Sequence, residues 1–357
     1  MRSTIMEVSI ASFEHNINEI QKYVGDKKLM PVIKANAYGT HINKRLDVIN
    51  KFDIVAVANT EEAIELREIG YNKDIFVLNQ QAIGDLEEII QYDVVTGLSE
   101  EYFLNYVIEH NLKIRVHLEI ETGMNRTGIK LEDLQSFIDK VKQSNVIVEG
   151  VYTHLSSADF DEEYTNKQLD IFRQAVEIVK NNFDSIKYVH SSASNGLLNY
   201  DDGVSNLVRP GLIMYGYESY EGVKDKLDIK PVATLYSEVV YIKNVNPGDA
   251  ISYSQKFVAS KPMRIATVPI GYADGYRRSL SNKGMIVVNG CKAPVVGSVC
   301  MDSIMVDVTD IQNVSVGTKV YIWDNDNYTL EDIAKECDTI NYEIISTISY
   351  RVPRKFV

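Results

Sequence analysis

Cysteine is scarce in this chain: three in 357 residues, at positions 291, 300 and 337. An odd number with no metal-like spacing argues against a disulfide framework and against a zinc site, and no metal is expected; reduced thiols in the cytoplasm fit better. Positive charge is also in deficit. Thirty-seven Lys and Arg against fifty Asp and Glu leave a formal charge of −13. A surface that acidic is poorly suited to nucleic-acid backbones or anionic membranes, although a local basic pocket for one phosphate remains compatible with it. Long hydrophobic runs are missing too. The opening stretch MRSTIMEVSIASFEH meets Glu7 before any sufficient apolar run builds, so neither a secretory signal nor a membrane span is expected. No low-complexity tract interrupts the chain.

What is present is ordinary for a globular protein: 45% hydrophobic and 24% charged residues. The length suits about two domains, or one large α/β barrel with an addition. Apolar runs of strand length recur through the first two-thirds: LMPVI (29–33), DIVAVA (53–58), DIFVL (74–78), DVVTG (93–97), KIRVHLEI (113–120), VIVEGVYTHL (146–155), IKYVHSSA (186–193) and NLVRPG (206–211). Helical patterns lie between most of them. EEYTNKQLDIFRQAVEIVKNNF sets Leu169, Phe172, Val176 and Val179 on one face, and SFEHNINEIQKYVG reads as a leading helix closed by Gly25. Eight strands alternating with helices predict an α/β fold, a (β/α)8 barrel of the TIM type over residues 11–230. The fourth strand is short, and a doubly wound sheet is the rival.

From residue 231 the texture changes. TLYSEVVYIKNV, PMRIATVPIG, GMIVVNG, APVVGSV, SIMVDVT and TKVYIWD are strand-like, with turn signals at Asn246-Pro247-Gly248-Asp249 and Asn289-Gly290. Only TLEDIAKEC looks helical. Residues 231–357 are therefore expected to form a mostly-β domain, to which a strand from residues 1–10 can add.

Functional residues of such barrels gather at the C-terminal strand ends. Lys34 follows LMPVI there. A partly desolvated lysine loses some preference for its charged form and can form a Schiff base; the plainer reading is a rim lysine paired with a carboxylate. Other strand ends bring Arg126 (GMNRTG), His154 (THLSSAD), Ser194 (HSSASNG) and Arg209, Gly211 and Leu212 (RPGLIMYG). Each alone reads as a turn, salt-bridge or packing residue. Together they put a lysine, two arginines, a histidine and the makings of a phosphate nest on one barrel face.

The motifs VIKANAYG, ETGMNRTG, RPGLIMYG, VPIGYADGYRR, VGSVCMD and INYE…TISYRVPR, in this order, resemble those of the alanine racemase family, and the match runs almost end to end. The resemblance implies pyridoxal 5′-phosphate as cofactor, bound through Lys34, which also acts as one catalytic base. It implies Tyr253 as the second base, reaching the site from a partner subunit. A tyrosine is a poor base at its reference pKa near 10, and His154 and Arg209 would supply the setting it needs. Tyr38, Ser194, Gly211, Leu212 and Tyr342 match phosphate contacts, and Arg209 matches the contact to the pyridine nitrogen. Arg126 matches a residue near the substrate carboxylate, while Tyr272 and Met301 match residues approaching substrate from the partner. A cytoplasmic homodimer with shared sites, interconverting L- and D-alanine to supply D-alanine for peptidoglycan precursors, is the implied function.

One departure stands out. Glu119 occupies the position where many family members carry a carbamylated lysine that orients the arginine matching Arg126; a glutamate offers a negative group there without modification, or faces elsewhere. Alternatives on the same fold are a broad-specificity, serine, lysine or ornithine racemase, a pyridoxal-phosphate amino-acid decarboxylase, and a non-catalytic pyridoxal-phosphate barrel. A sugar-binding or scaffolding barrel leaves the lysine and arginine constellation unexplained.

Overall fold

The structure, a computed structural model, describes residues 3–357; residues 1 and 2, part of the N-terminal stretch expected to add a strand, lie outside it. The chain divides into two compact units. The smaller comprises the chain up to Phe13, Tyr38–His41 and Pro231–Val357; the larger comprises Glu14–Ala37 and Ile42–Lys230.

The first strand, β1 (Ile5–Val8), belongs to the smaller unit. The larger unit carries β2 (Lys28–Leu29), β3 (Ile54–Val57), β4 (Asp74–Gln80), β5 (Val95–Leu98), β6 (Arg115–Glu121), β7 (Ile129–Lys130), β8 (Ile147–Tyr152), β9 (Tyr188–His190) and β10 (Leu207–Val208). Strands β3-β4-β5-β6-β8-β9 run side by side in parallel, with β7 pairing off β6. β2 pairs with β10, also in parallel, and single bridges join this pair to both ends of the run: Val32 to Ala56, and Ala193 to Arg209. The ring closes at eight parallel strands, which is the expected barrel, and an open doubly wound sheet is excluded.

Strands covered on both faces lose the alternation of half-exposed ones. That is why β3 reads Ile-Val-Ala-Val and is buried at all four positions. Inside the ring, aromatic rings from alternating positions meet: Phe76 stacks on His117 at 4.5 Å and Tyr152 on His190 at 5.1 Å. Outside it, the helix Glu162–Asn182 starts where the Asp161 side chain accepts the Tyr164 N–H. Its Leu169, Phe172, Val176 and Val179 are all buried, each side chain contributing about 1.5–3 kcal/mol. The helix Ile10–Val24 ends at Gly25, whose φ of +65° lets its N–H turn back to the Gln21 carbonyl.

The smaller unit is built on a six-stranded sheet. From one edge it runs β17 (Cys291–Pro294), β16 (Met285–Val288), β19 (Lys319–Trp323), β11 (Ala233–Glu238), β1 and β20 (Arg354–Phe356). β1 is thus an inner strand, antiparallel to β11 and parallel to β20. Asn289 and Gly290, both at positive φ, turn the β16–β17 hairpin. A second, antiparallel layer orders β12 (Tyr241–Val245), β15 (Met263–Val268) and β18 (Ile304–Asp307). A third pair, β13 (Ala250–Ile251) and β14 (Phe257–Val258), flanks residues 252–256. The expected helix forms over Leu330–Glu336, capped by Thr329, but a second helix, Asn341–Ser346, corrects the expectation of only one. No helix among the described residues is long and apolar enough to cross a membrane.

Candidate active site

Ladder-type hydrogen bonds carry the first barrel strand past β2: Val32 N–H reaches the Pro210 carbonyl and Ile33 N–H the Ala56 carbonyl. Lys34 comes next and opens a turn that departs from the strand-to-loop passage expected there. Ala35, Asn36, Ala37 and Tyr38 all have φ of 52–53°, a full turn of left-handed helix. Each such L-residue costs about 1–2 kcal/mol, so the surroundings must enforce the turn. The enforcement is visible in two bonds: Ala37 N–H donates to the Ile33 carbonyl at 2.9 Å, and Ala35 N–H donates to the Glu62 carboxylate at 2.6 Å. The Lys34 amine is half-buried, and burial together with the nearby Arg126 guanidinium holds its pKa below the ordinary lysine value, while Glu62 acts in the opposite direction.

The remaining barrel candidates come together at strand ends. Glu119, Arg126 and His154 line one small cleft. Glu119 is buried, which raises its carboxyl pKa, and it accepts a hydrogen bond from the Thr127 hydroxyl at 2.8 Å, the residue beside Arg126. The buried Tyr152 hydroxyl lies near it but outside hydrogen-bond geometry. Arg126 itself is exposed. His154 is held neutral, its pKa pushed down to about 3 by burial and by Arg209, Arg126 and Lys34.

Arg209 is buried and fixed from several sides. Its guanidinium donates to the carbonyls of His190, Thr153 and Ser191 at 2.8–2.9 Å and to ring nitrogens of His190 and His154 at 2.6 and 3.3 Å. Burial lowers its pKa to about 10, which leaves it a cation at neutral pH. The two loops beyond β9 and β10 are tied side by side: Arg209 N–H donates to the Ser192 carbonyl, and Gly211 N–H to the Ser194 hydroxyl at 3.1 Å. Leu212 follows at the start of a short 3-10 turn, Leu212–Tyr215.

In the smaller unit, Tyr38 and Tyr342 face each other with ring centroids 6.0 Å apart. Burial, with Tyr342 nearby, pushes the Tyr38 phenol well above its usual pKa. Tyr253, Tyr272 and Met301 are exposed, Tyr253 to 69%. Tyr253 sits in another strained segment, with Ser252, Ser254 and Gln255 at φ of 66°, 61° and 51°. The Ser252 hydroxyl donates to the Ser298 carbonyl at 2.6 Å, and the Ser298 hydroxyl donates to the Tyr253 carbonyl at 3.1 Å. Sequence reasoning passed over three residues of these networks. Glu62 holds the backbone of Ala35, next to Lys34, and His190 bonds Arg209 directly, with His117 behind it at 2.9 Å. The spacing Asn59-x-x-Glu62 was the available signal for the first, a helix-start signature; nothing local marks the histidines.

The donor set suits pyridoxal phosphate. An amine of lowered pKa can bond an aldehyde, the adjoining Ser194 and Gly211 loops can receive a phosphate, and a buried guanidinium that only donates can meet a ring nitrogen acceptor.

Comparison with known proteins agrees. Residues 8–219 match the family model for the alanine racemase N-terminal domain, and residues 232–356 that for the alanine racemase C-terminal domain. An alanine racemase of Halothermothrix orenii is 37% identical, over 99% of this chain and 97% of its own. One of Methanococcus maripaludis is 34% identical, with 98% of each chain covered. Among solved structures, the alanine racemase of Bacillus anthracis with bound L-Ala-P superimposes with a TM-score of 0.93 at 31% identity, covering 100% of this chain and 95% of that one.

Proposed function

This chain belongs to the alanine racemase family, a pyridoxal-phosphate-dependent family, and from that premise we propose that it interconverts L- and D-alanine with Lys34 and a partner subunit's Tyr253 as the two proton carriers. The observation that carries the assignment is the Lys34 amine, half-buried at the barrel's strand ends with its pKa lowered. A lysine in that state is a free amine more often than an exposed one, so it can hold an aldehyde and later take or return a proton.

Lys34 would hold the cofactor covalently; Ser194, Gly211 and Leu212 would receive its phosphate, and Arg209 its pyridine nitrogen. Bound there, pyridoxal phosphate supplies an electron sink that makes the Cα–H of an amino acid acidic. The chain's own groups then decide what happens to that proton. Arg209 has donors only and stays charged, so it fixes the orientation of whatever acceptor it meets without giving up a proton itself. This speaks against the decarboxylase reading, in which a carboxylate meets that position. Arg126, exposed beside the cleft, is suited to an amino acid's carboxylate, and Glu119, which lines the same cleft and accepts the Thr127 hydroxyl, is the acceptor standing where relatives modify a lysine. His154 is neutral and so can exchange hydrogen bonds without adding charge.

Racemisation needs a proton carrier on each side of Cα, since a single base returns the proton to the face it left. Lys34 serves one side. Tyr253 is the candidate for the other: it stands exposed on the β-rich unit, held by flanking residues at positive φ and by the Ser298 bond, as suits a residue that acts outside its own fold. Exposed Tyr272 and Met301 support the same reading. It makes the enzyme a homodimer with shared sites, residues 11–230 supplying the cofactor site and residues 231–357 the second base. We place it in the cytoplasm, as a source of D-alanine for peptidoglycan precursors.

The test is turnover of single-enantiomer amino acids, read by chiral chromatography. Equal approach to the racemate from L- and from D-alanine supports the reading. Inactivity on both, with turnover of serine, lysine or ornithine, would move the substrate assignment while leaving the proton carriers in place.

A further inference from the structure

We propose that Glu62 is a positioning residue for Lys34: its carboxylate bridges the backbone at the end of β3 and the backbone of the left-handed turn that presents the lysine. The bridge has two arms. One oxygen accepts the Ala58 N–H at 2.8 Å, and the other accepts the Ala35 N–H at 2.6 Å. Ala58 directly follows β3, and Ala35 directly follows Lys34.

Local structure does not call for this arrangement. Asn59 caps the helix Thr60–Glu68, accepting the Glu62 N–H at 3.0 Å, which makes Glu62 the third residue of the helix. A glutamate at that place ordinarily turns back to the N–H of the capping residue itself. Glu62 instead takes the N–H one residue earlier and spends its second oxygen on a segment 27 residues away in sequence. That segment needs an external hold. It contains four consecutive non-glycine residues at positive φ, and the Ala35 N–H heads it. Without an acceptor, this N–H has little to keep its peptide plane in place, and the Lys34 carbonyl belongs to the same plane. The carboxylate is also near enough to act on the Lys34 amine by charge, opposing the effect of Arg126. Glu62 therefore does two things: it fixes where the amine points, and it moderates how far the amine is driven toward its neutral form.

The functional consequence rests on the reading of Lys34 as the cofactor lysine; the bridge does not. The experiment separates them. E62A and E62Q would be made in the full-length chain. Hydrogen–deuterium exchange would be followed in peptides spanning residues 33–38, with β6 as an internal reference. The apparent pKa of the Lys34 amine would be measured in the cofactor-free protein by competitive labelling with acetic anhydride and peptide mass spectrometry. Affinity for added pyridoxal phosphate would be measured alongside. E62A is expected to speed exchange in 33–38 and at the Ala58 amide while leaving β6 unchanged, and to weaken cofactor binding by about tenfold, the loss of one charge-assisted bond's worth of positioning. E62Q retains one acceptor oxygen. It is expected to perturb exchange less and to lower the Lys34 pKa, and E62D to restore part of both. Wild-type exchange in 33–38 with an unchanged Lys34 pKa in both variants overturns the proposal. Altered exchange and pKa with no cofactor binding even in the wild-type chain keeps the bridge and rejects the cofactor reading instead.

Discussion

Arg209 donates to Nδ1 of His190 at 2.6 Å, and that contact fixes a tautomer. Arginine has no acceptor, so His190 presents a lone pair at Nδ1 and, being neutral, carries its proton on Nε2. Nε2 lies 2.9 Å from Nδ1 of His117, which must then be the acceptor, leaving the His117 proton on a buried Nε2 without a partner. A one-way chain of donors runs from the guanidinium through two fully buried rings. Burial and the Arg209 charge hold His190 far below its ordinary pKa, and burial is the main cause holding His117 down at about 3.

The two histidines make stability depend on acid. Unfolded, each binds a proton near its ordinary pKa of about 6.5; folded, neither does until far lower. The unfolded state thus holds more protons below that point, so stability is intact above pH ~6.5 and falls as the pH drops toward ~3. Urea midpoints taken at descending pH should fall in step, at up to about 1.4 kcal/mol per pH unit for each histidine. H117N should flatten the slope; a wild-type slope in that variant would refute the assignment.

Gly150 lies against the same ring. A Cβ placed there would stand 2.7 Å from two atoms of the His117 imidazole. G150A should therefore destabilise the barrel by about 1–3 kcal/mol, since the ring is boxed in by Phe76 and His190 and has no room to yield. A thermal melt unchanged from wild type would show that the ring can move.

Arg209 to Lys keeps the charge and loses the fork. A single ammonium cannot serve the carbonyls of His190, Thr153 and Ser191 at once, so buried acceptors go unpaired. R209K should lose about 1–3 kcal/mol of stability and bind pyridoxal phosphate more weakly. Wild-type affinity and melting together would argue that the guanidinium geometry is dispensable.

Tyr253 to Phe removes one hydroxyl from an exposed side chain, so folding should be unaffected. Racemisation should fall by ~10²–10⁴ in both directions, because each turnover uses both proton carriers, while the visible absorbance of the bound cofactor persists. Wild-type rates in Y253F would reject the two-base assignment.

Much of this architecture was legible in the residues. Barrel strands such as β3 and β4 declare themselves because burial on both faces demands apolar runs, Ile-Val-Ala-Val and Ile-Phe-Val-Leu, and the helix Glu162–Asn182 because one face must be apolar. Asn289-Gly290 gave away its hairpin because few other pairs accept two positive φ angles. What escaped depends on tertiary contacts. The turn Ala35–Tyr38 contains no glycine, and nothing in Ala-Asn-Ala-Tyr announces a left-handed backbone; it exists because other segments hold it. The helix Asn341–Ser346 is six residues long with adjacent isoleucines, too short for a periodic signal. The pairing of His190 with Arg209 joins the end of β9 to the residue just beyond the neighbouring β10, 19 positions away in sequence, and no local pattern records it.

The covalent hold of Lys34 on pyridoxal phosphate is the claim beneath the rest, and borohydride reduction of the pyridoxal-phosphate-loaded protein, followed by peptide mass mapping, tests it most directly. The visible colour should bleach and a phosphopyridoxyl group should appear on the peptide bearing Lys34 and on no other. A label on a different lysine, or none on any, would contradict it.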